Sequence, residues 1–319
     1  MDDMDLIRLM ADGECHSGVE LAAEIGVSRA AVWKRLQKLE NKGLPVISEK
    51  GRGYRLAYPL TLLNEKLISS GTATNIEVMI KELTESTNGD VLQWLKALPA
   101  DRKQSVACFA EQQSGGRGRR GKQWQSPFGA NLYLSYGIRL SMGAAALEGL
   151  SLAVGVLLAK TLDKLDIDEV KVKWPNDIYI NGKKVAGILI EVDGDLTSYC
   201  NVIVGIGMNF QMRSLDDASI DQAYTALDEW VEVDRNTVAI DVISGLADIF
   251  HQIELGDALL LDEWQSYDYL MRKPVDVLLG DNVVSGQAIG VDSAGNLLVR
   301  LSDGTVKKFA GGEVSVRAQ

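Results

Sequence analysis

Hydrophobic residues recur with two different spacings along this chain, and the change from one to the other divides it into parts. Near the start, Val32, Leu36 and Leu39 recur at helical spacing behind Ser28, a residue type that caps helices. In the middle, the apolar runs 105–110 and 202–206 predict buried strands, while residues 236–254 have a helical pattern. Beyond Pro274 the pattern is one of short strands separated by glycine-containing turns. We therefore predict an α+β fold with a helical head, a central mixed β-sheet with helices, and a small β domain at the end.

The first sixty residues have the element order of a winged helix-turn-helix. Gly26 separates two helical patterns, and residues 46–49 and 54–57 predict a hairpin, the wing, with a basic turn. Eight basic and two acidic residues lie between positions 28 and 55, although the chain of 319 residues has a net charge of −11. A basic second helix of this kind enters the major groove of DNA, although a basic face can also be merely solvated. The predicted DNA contacts are Ser28, Arg29, Lys34, Arg35, Lys38, Lys50 and Arg52.

Composition restricts the class of protein further. Hydrophobic residues make up 46% of the chain and charged residues 24%, which is ordinary for a soluble globular protein. No stretch approaches the ~20 apolar residues that span a bilayer, and the amino terminus lacks the apolar core of a secretion signal. We therefore predict a cytoplasmic protein without membrane contact. The three cysteines lie far apart without a CxxC pair, so neither a disulfide framework nor a metal site is predicted.

Residues 111–124 combine glycine with arginine in a way that suits a polyanionic ligand. Glycines let backbone N–H groups approach phosphate oxygens, and arginine forks pair with them. The segment also contains GxGxxG and GxxxxGK spacings, but no helical pattern follows, and Gln123 stands where a P-loop has Ser or Thr. Both of those nucleotide-binding motifs are therefore rejected. A phosphate-binding loop of another kind and a flexible basic surface loop both stay open.

Four segments taken together resemble the biotin protein ligases, in the bifunctional form that is also the biotin operon repressor. They are residues 85–88 (ESTN), residues 115–121 (GGRGRRG) with Trp124, residues 173–177 (KWPND) and residues 182–189 (GKKVAGIL). The resemblance runs over the whole chain, including the winged head. It implies a central domain like that of the biotin and lipoate ligases and a small SH3-like barrel at the end. The implied boundaries are residues 1–60, 64–270 and 271–319.

The resemblance also implies a reaction and assigns residues to it. A biotin-[acetyl-CoA-carboxylase] ligase uses biotin and ATP, with Mg²⁺, to make biotinyl-5'-AMP, and then biotinylates a lysine of biotin carboxyl carrier protein. The implied catalytic residues are Arg119 and Lys184. The implied biotin contacts are Ser86, Thr87, Asn88, Gln113, Gly115, Arg117, Gly118, Arg119, Lys184 and Gly187. The implied nucleotide contacts are Arg119, Lys122, Asn176, Asn209 and Tyr224.

The same resemblance implies two further partners, operator DNA and a second copy of the chain. The homodimer is expected when the adenylate is bound. Two other interpretations of the sequence stay open. One is a ligand-sensing transcription factor without ligase activity, and the other is a lipoate ligase of the same fold. Residues 86–88, taken alone, are also an ordinary helix N-cap motif.

Overall fold

The computed structural model describes residues 3–99, 102, 104–194, 199–212, 222–256, 263–280, 282–311 and 314–318. The helices in these ranges are α1 (Asp3–Met10), α2 (Gly18–Glu24), α3 (Arg29–Asn41), α4 (Glu65–Gly71), α5 (Thr87–Ala97), α6 (Leu150–Asp163), α7 (Arg235–Leu255) and α8 (Trp264–Tyr267). The strands are β1 (Val46–Glu49), β2 (Gly53–Leu56), β3 (Ile76–Thr84), β4 (Ser105–Gln113), β5 (Asn131–Leu140), β6 (Val170–Lys173), β7 (Asp177–Ile180), β8 (Lys183–Gly194), β9 (Cys200–Asn209), β10 (Pro274–Leu279), β11 (Asn282–Val291), β12 (Leu297–Arg300), β13 (Val306–Phe309) and β14 (Ser315–Ala318). No helix within the described ranges is long and apolar enough to cross a membrane.

The N-terminal head, residues 3–60, is a helix-turn-helix followed by a hairpin. The side chain of Ser28 accepts the Ala31 N–H and so caps α3, as its residue type predicted. Val32, Leu36 and Leu39 are buried on the inner face of α3, since their spacing brings them to one side of the helix. Strands β1 and β2 pair antiparallel as the predicted hairpin. The predicted helix-turn-helix is therefore confirmed.

The centre of the described chain is a mixed sheet with the strand order β3-β4-β5-β9-β8-β7-β6. Strands β3 and β4 are parallel, and the other neighbours are antiparallel. Val106 and Cys108 of β4 share a buried cluster with α5, while Ala107 and Phe109 belong to the larger core that includes α6 and α7. Both faces of the sheet are thus covered, which is why this strand has a continuous apolar run. The predicted mixed sheet with helices is confirmed.

The segment between the head and the central sheet is held by hydrogen bonds to buried side chains. Leu63 N donates to Glu111 Oε1 at 2.8 Å, and Arg235 Nε donates to Thr61 O at 2.7 Å. Phe128, which precedes β5, packs in the hydrophobic core of the head. This linker, residues 61–64, is therefore not a loose tether, because its backbone is hydrogen-bonded to the centre and Phe128 packs against the head.

The strands after Pro274 form an antiparallel sheet with the order β13-β12-β11-β10-β14 within the described residues. The register between β11 and β12 shifts between Ala288 and Val291, which is a β-bulge. No pairing joins β13 to β14 in the described part of the chain. The predicted β domain is confirmed, while a closed SH3-like barrel is not seen.

Candidate active site

A cavity of about 720 Å³ opens where β4, β8 and β9 meet the start of α5 and the arginine loop, residues 115–124. Most of the predicted binding residues line it although they come from distant parts of the chain. They are Ser86, Thr87, Asn88, Gln113, Arg117, Gly118, Arg119, Lys122, Asn176, Lys184, Gly187, Asn209 and Tyr224. The fold therefore brings these residues together, and their individual contacts with ligands stay predictions.

Hydroxyl and amide groups meet at one end of the cavity, which we call the amide end. Gln113 Oε1 accepts the Thr87 N–H at 2.9 Å and lies 3.1 Å from Thr87 Oγ1. Ser86 occupies the N-cap position of α5, but its side chain makes no capping hydrogen bond. The N-cap interpretation therefore does not account for this serine. The amide end offers hydrogen-bonding groups to a polar ring.

Ser135 and Glu191, which the sequence did not single out, contact residues of the amide end without lining the cavity themselves. The Ser135 hydroxyl contacts Thr87 Oγ1 at 2.7 Å and Asn88 Oδ1 at 2.5 Å. Glu191 accepts from Asn88 Nδ2 at 2.6 Å and from Arg117 Nη2 at 3.1 Å. Both residues lie in ordinary strand patterns, far from the recognisable segments, so no sequence signal marked them.

The arginine loop is a hairpin-like turn rather than a structureless segment. Gly118 N donates to Lys122 O at 2.7 Å, and Trp124 N donates to Gly116 O at 2.9 Å. Arg120, near its tip, has a left-handed backbone with φ of 57°. The loop thus has a defined conformation that places its side chains around the cavity.

The guanidinium of Arg119 contacts the neighbouring wall of the cavity through Asn176. Its Nη1 donates to Asn176 Oδ1 at 3.0 Å, and Asn176 Nδ2 donates to Ile188 O at 2.8 Å. Burial lowers the pKa of Arg119 below its ordinary value, the nearby Asp177 opposes that shift, and Arg120 adds to it. Asn176 therefore organises the site by joining the arginine loop to β8.

A β-bulge places the amine of Lys184 in the cavity. Lys184 pairs with Tyr179 and Ala186 with Ile178, which leaves Val185 as the extra residue of β8. Without the bulge, Lys184 and Gly187 would lie on opposite faces of the strand. Instead, a Cβ built at Gly187 would lie 3.3 Å from Lys184 Nζ. The bulge thus brings the predicted catalytic lysine beside the predicted glycine.

Cationic side chains crowd the other end of the cavity, which we call the cationic end. Lys184 Nζ lies 2.8 Å from Asp177 Oδ1, and the two side chains are 13% and 20% exposed. Burial lowers the pKa of Lys173, Asp177 opposes the shift, and Lys184 is among the nearby cations that lower it further. An anion bound here would relieve the repulsion among these cations, so the cationic end suits phosphate.

The indole of Trp124 lines the cavity, and its position depends on glycine at two neighbouring residues. A Cβ at Gly207 would lie 2.3 Å from Trp124 Cε2, and one at Gly187 would lie 3.1 Å from Trp124 Cζ3. The Lys184 amine lies over the ring, 5.3 Å from its centroid. Trp124 Nε1 is buried and has no hydrogen-bond partner among the described residues. The ring therefore lines the cavity as an apolar surface with an unused donor.

The other residues predicted to contact the nucleotide, Tyr224, Asn209 and Lys122, differ in their burial and in their hydrogen bonds. The segment around Tyr224 pairs with β8, since Lys184 N donates to Ala223 O at 3.1 Å. Asn209 is buried and its Nδ2 donates to Thr225 O at 3.1 Å, which holds that segment in place. Lys122 is exposed at the rim. Beyond them the cavity reaches Lys173 and the C-terminal sheet at residues 314–316.

Gly115 is not among the residues that line the cavity. Its N–H donates to Glu85 O at 2.9 Å, and a Cβ there would lie 2.9 Å from Glu85 Cγ. It thus anchors the arginine loop to the segment before α5, and its predicted contact with biotin stays a prediction. Among the described residues, no group of three or more His, Cys, Asp or Glu side chains could hold a metal ion.

The predicted DNA contacts come from α3 and its cap and from the turn of the wing. Ser28, Arg29, Lys34, Lys38, Lys50 and Arg52 are exposed, and Arg35 is partly buried. At the wing, Glu49 binds both Arg52, at 2.7 Å, and Arg55, at 2.8 Å. These contacts lower the pKa of Glu49, with the Arg55 hydrogen bond as the main cause. Glu49 therefore offsets part of the positive charge of Arg52 and Arg55 in the wing.

Three family models match successive parts of the chain, in the order of the head, the central sheet and the C-terminal sheet. Residues 5–55 match the HTH domain, residues 81–209 match the biotin/lipoate A/B protein ligase family, and residues 273–317 match the biotin protein ligase C terminal domain. The chain is similar over much of its length to the biotin protein ligase from Aquifex aeolicus in complex with biotin and ATP. The TM-score is 0.62, with 25% identity over 76% of this chain and 99% of that structure.

A relative of similar length extends the likeness over almost the whole chain, and a second one covers four fifths of it. The bifunctional ligase/repressor BirA of Escherichia coli (strain K12) is 41% identical over 317 residues, which are 99% of this chain and 97% of the relative. The biotin--[acetyl-CoA-carboxylase] ligase of Mycobacterium tuberculosis (strain ATCC 25618 / H37Rv) is 30% identical over 80% of this chain and 94% of its own length. The likeness at 41% identity covers the winged head, the central sheet and the C-terminal sheet. The chain therefore belongs to the biotin protein ligases, in the bifunctional ligase and repressor form.

Proposed function

We propose that the protein is an ATP-dependent biotin-[acetyl-CoA-carboxylase] ligase and the repressor of a biotin operon. The biotin carboxylate attacks the α-phosphorus of ATP, the bond to the β-phosphate breaks, and pyrophosphate leaves. The amine of a lysine on biotin carboxyl carrier protein then attacks the acyl carbon of biotinyl-5'-AMP, and AMP leaves. The observation that carries this proposal is one cavity of about 720 Å³ with an amide end and a cationic end.

The amide end suits the bicyclic ring of biotin. In this proposal Ser86, Thr87, Asn88 and Gln113 bind the ureido group, because hydroxyl and amide groups can satisfy both its carbonyl and its N–H donors. Gly187 permits close approach of the ligand to the backbone, and Trp124 covers the apolar part of the ligand. Lipoate has no ureido group to use these hydrogen bonds, so the amide end favours biotin.

The cationic end suits the reacting carboxylate and phosphate. Here Arg117, Gly118 and Arg119 approach the acyl phosphate, and the Lys184 ammonium stabilises the negative charge that develops at the α-phosphate. The nucleotide contacts in this proposal are Arg119, Lys122, Asn176, Asn209 and Tyr224. Enclosure by the arginine loop would keep water from the mixed anhydride. Mg²⁺ accompanies ATP, because the metal neutralises the polyphosphate leaving group.

The repressor half of the proposal assigns operator DNA to the head. The exposed cations of α3 contact phosphates and base edges, with the wing beside them. Two copies that pair when the adenylate is bound would read a palindromic operator, since dimer symmetry is matched by site symmetry. We assign residues 1–60 to the DNA-binding domain, 64–270 to the catalytic domain and 271–319 to a small SH3-like barrel.

The test is incubation of the full chain with biotin, ATP and Mg²⁺. We expect biotin-dependent exchange of pyrophosphate into ATP, retained biotinyl-AMP detected by mass spectrometry, and transfer to an added carboxyl carrier protein. The same reactions with lipoate in place of biotin should give none of these. Loss of exchange together with intact operator binding would instead indicate a ligand-sensing transcription factor. Exchange with lipoate alone would indicate a lipoate ligase.

A further inference from the structure

The side chains behind the amide end form one hydrogen-bonded chain that ends at Glu191. Thr87 Oγ1 lies 2.7 Å from Ser135 Oγ, which lies 2.5 Å from Asn88 Oδ1, and Asn88 Nδ2 donates to Glu191 Oε2 at 2.6 Å. Ser135 is fully buried and Asn88 is 5% exposed. A Cβ at Gly205 would lie 2.3 Å from Asn88 Oδ1, so the amide fills its space. These side chains must therefore satisfy one another.

Glu191 fixes the direction in which the hydrogens of this chain point. An ionised carboxylate only accepts, so Asn88 must turn its Nδ2 toward Glu191 and its Oδ1 toward Ser135. The Asn88 oxygen also only accepts, and the single hydroxyl hydrogen of Ser135 therefore goes to it. The hydrogen in the 2.7 Å contact between Thr87 and Ser135 then comes from Thr87, because this contact is shorter than the 3.1 Å contact in which Thr87 Oγ1 could instead donate to Gln113 Oε1. All the hydrogens point toward Glu191.

The other side of Thr87 is fixed by Gln113. The Ser126 hydroxyl donates to Trp124 O at 3.1 Å and accepts from Gln113 Nε2 at 3.2 Å, which turns Gln113 Oε1 toward Thr87. That oxygen accepts the Thr87 N–H at 2.9 Å and lies 3.1 Å from Thr87 Oγ1. Since the Thr87 hydrogen is directed to Ser135, two acceptor oxygens face each other at the cavity. A ligand N–H satisfies such a pair, and a ligand acceptor is repelled by it.

We propose that Glu191 is a positioning residue that sets the hydrogen-bond polarity of the amide end, and that it thereby selects a ring with N–H donors. The inference rests on the proposed function, because it concerns recognition of the ureido ring at that site. Glu191 itself stands back from the ligand and acts through Asn88, Ser135 and Thr87. It is absent from the cavity lining, as is Ser135.

The test compares biotin with its two cyclic carbamate analogues, in which an oxygen replaces one or the other ureido N–H. Equilibrium affinities are measured by calorimetry for the full chain and for Glu191→Gln, whose amide can donate as well as accept and so no longer fixes the direction. We expect Glu191→Gln to lower the ratio of biotin affinity to the affinity for one of the carbamates by roughly tenfold. A merely structural role would weaken all three ligands alike and leave both ratios unchanged.

Asp193→Asn serves as the matched control. It removes the same charge two residues along β8, where the side chain is 41% exposed and pairs with Lys96. It should keep the affinity ratios of the unaltered protein. A fall in this control as large as that in Glu191→Gln would overturn the proposal, because loss of charge alone would then be the cause.

Ser135→Ala supplies an independent test, which also decides the matter if Glu191→Gln fails to fold. This substitution removes the hydroxyl that links Asn88 to Thr87 in the hydrogen-bonded chain, and it leaves the Glu191 carboxylate in place. The affinity ratio should fall as it does in Glu191→Gln, and an unchanged ratio would overturn the proposal. If the unaltered protein binds no biotin, the proposed function fails together with this inference. If the unaltered protein binds biotin but neither substitution changes the ratio of biotin affinity to carbamate affinity, only the inference fails.

Discussion

Arg235 Nη2 lies 2.7 Å from Glu111 Oε2, and the two side chains are only 3% and 2% exposed. Each partner of this ion pair also makes further hydrogen bonds. Arg235 donates to Thr61 O and to Asn131 O, and Glu111 accepts the Leu63 N–H. One buried ion pair therefore joins α7, the central sheet and the linker to the head. It lies two residues from Gln113 along β4, so the same strand serves the linker and the amide end.

Removing one partner of this pair should destabilise the protein strongly. Arg235→Met leaves the Glu111 carboxylate buried without its counter-charge, and we expect a loss of about 3–5 kcal/mol in the free energy of unfolding. The measurement is urea denaturation followed by circular dichroism. Arg52→Met breaks a pair whose arginine side chain is 70% exposed, and it should cost less than about 1 kcal/mol. Equal losses in the two variants would show that the buried pair is not a structural anchor.

Gly207→Ala should drive the Trp124 indole out of its place. The added Cβ would lie 2.3 Å from Trp124 Cε2, a separation at which one group must move. We expect biotin affinity to fall by at least roughly tenfold, with an overpacking cost of about 1–3 kcal/mol and a shift in tryptophan fluorescence. Gly89→Ala is the matched control, because its nearest neighbour would be 4.0 Å away. Unchanged fluorescence and affinity in Gly207→Ala would mean that the ring does not line the ligand site.

Lys184→Met should separate binding from chemistry. Its amine lies in the cationic end, so its loss should lower the rate of adenylate formation by about 100- to 1,000-fold while biotin affinity changes much less. Rates are followed by pyrophosphate release in single turnovers. Lys183→Met removes the exposed neighbour and should leave the rate unchanged. A similar loss in both variants would indicate general electrostatic attraction of ATP rather than a placed ammonium.

The elements that sequence patterns predicted well are those set by local chemistry. The α3 helix followed from the Ser28 cap and the spacing of Val32, Leu36 and Leu39. The gathering of the four recognisable segments around one cavity followed from resemblance alone. The short final strand β14 carries little periodicity, and its pairing with β10 depends on a distant partner.

The parts that escaped prediction depend on contacts between distant residues. Ser135 and Glu191 are ordinary strand residues in sequence, and only the packing of α5 against the sheet makes them neighbours of Asn88. The bulge at Val185 likewise follows from the register with β7, which no periodicity reveals. Phe128 precedes β5, and its burial in the core of the head reflects the docking of two parts of the chain.

The cysteines allow a prediction about reactivity and about pH. Burial raises the pKa of the Cys108 thiol to about 12, with Asp90 adding to the shift, and burial also raises the pKa of Cys200. Because the thiolate is the nucleophile, iodoacetamide at pH 8 should label only the partly exposed Cys15 in the native protein, and all three cysteines in urea. Peptide mass spectrometry measures the labelling. Rapid native labelling of Cys108 would contradict its burial.

The same raised pKa has a consequence for stability in alkali. The folded state holds Cys108 protonated, whereas the unfolded chain releases that proton near the ordinary value of 9.0. Stabilisation from this group is therefore complete below about pH 9 and is lost as the pH rises toward about 12, because the unfolded state then binds fewer protons. Cys108→Ala removes the group, so its unfolding free energy should decline less steeply than that of the unaltered protein across this range. Parallel pH profiles for the two proteins would mean that Cys108 titrates alike in the folded and unfolded states.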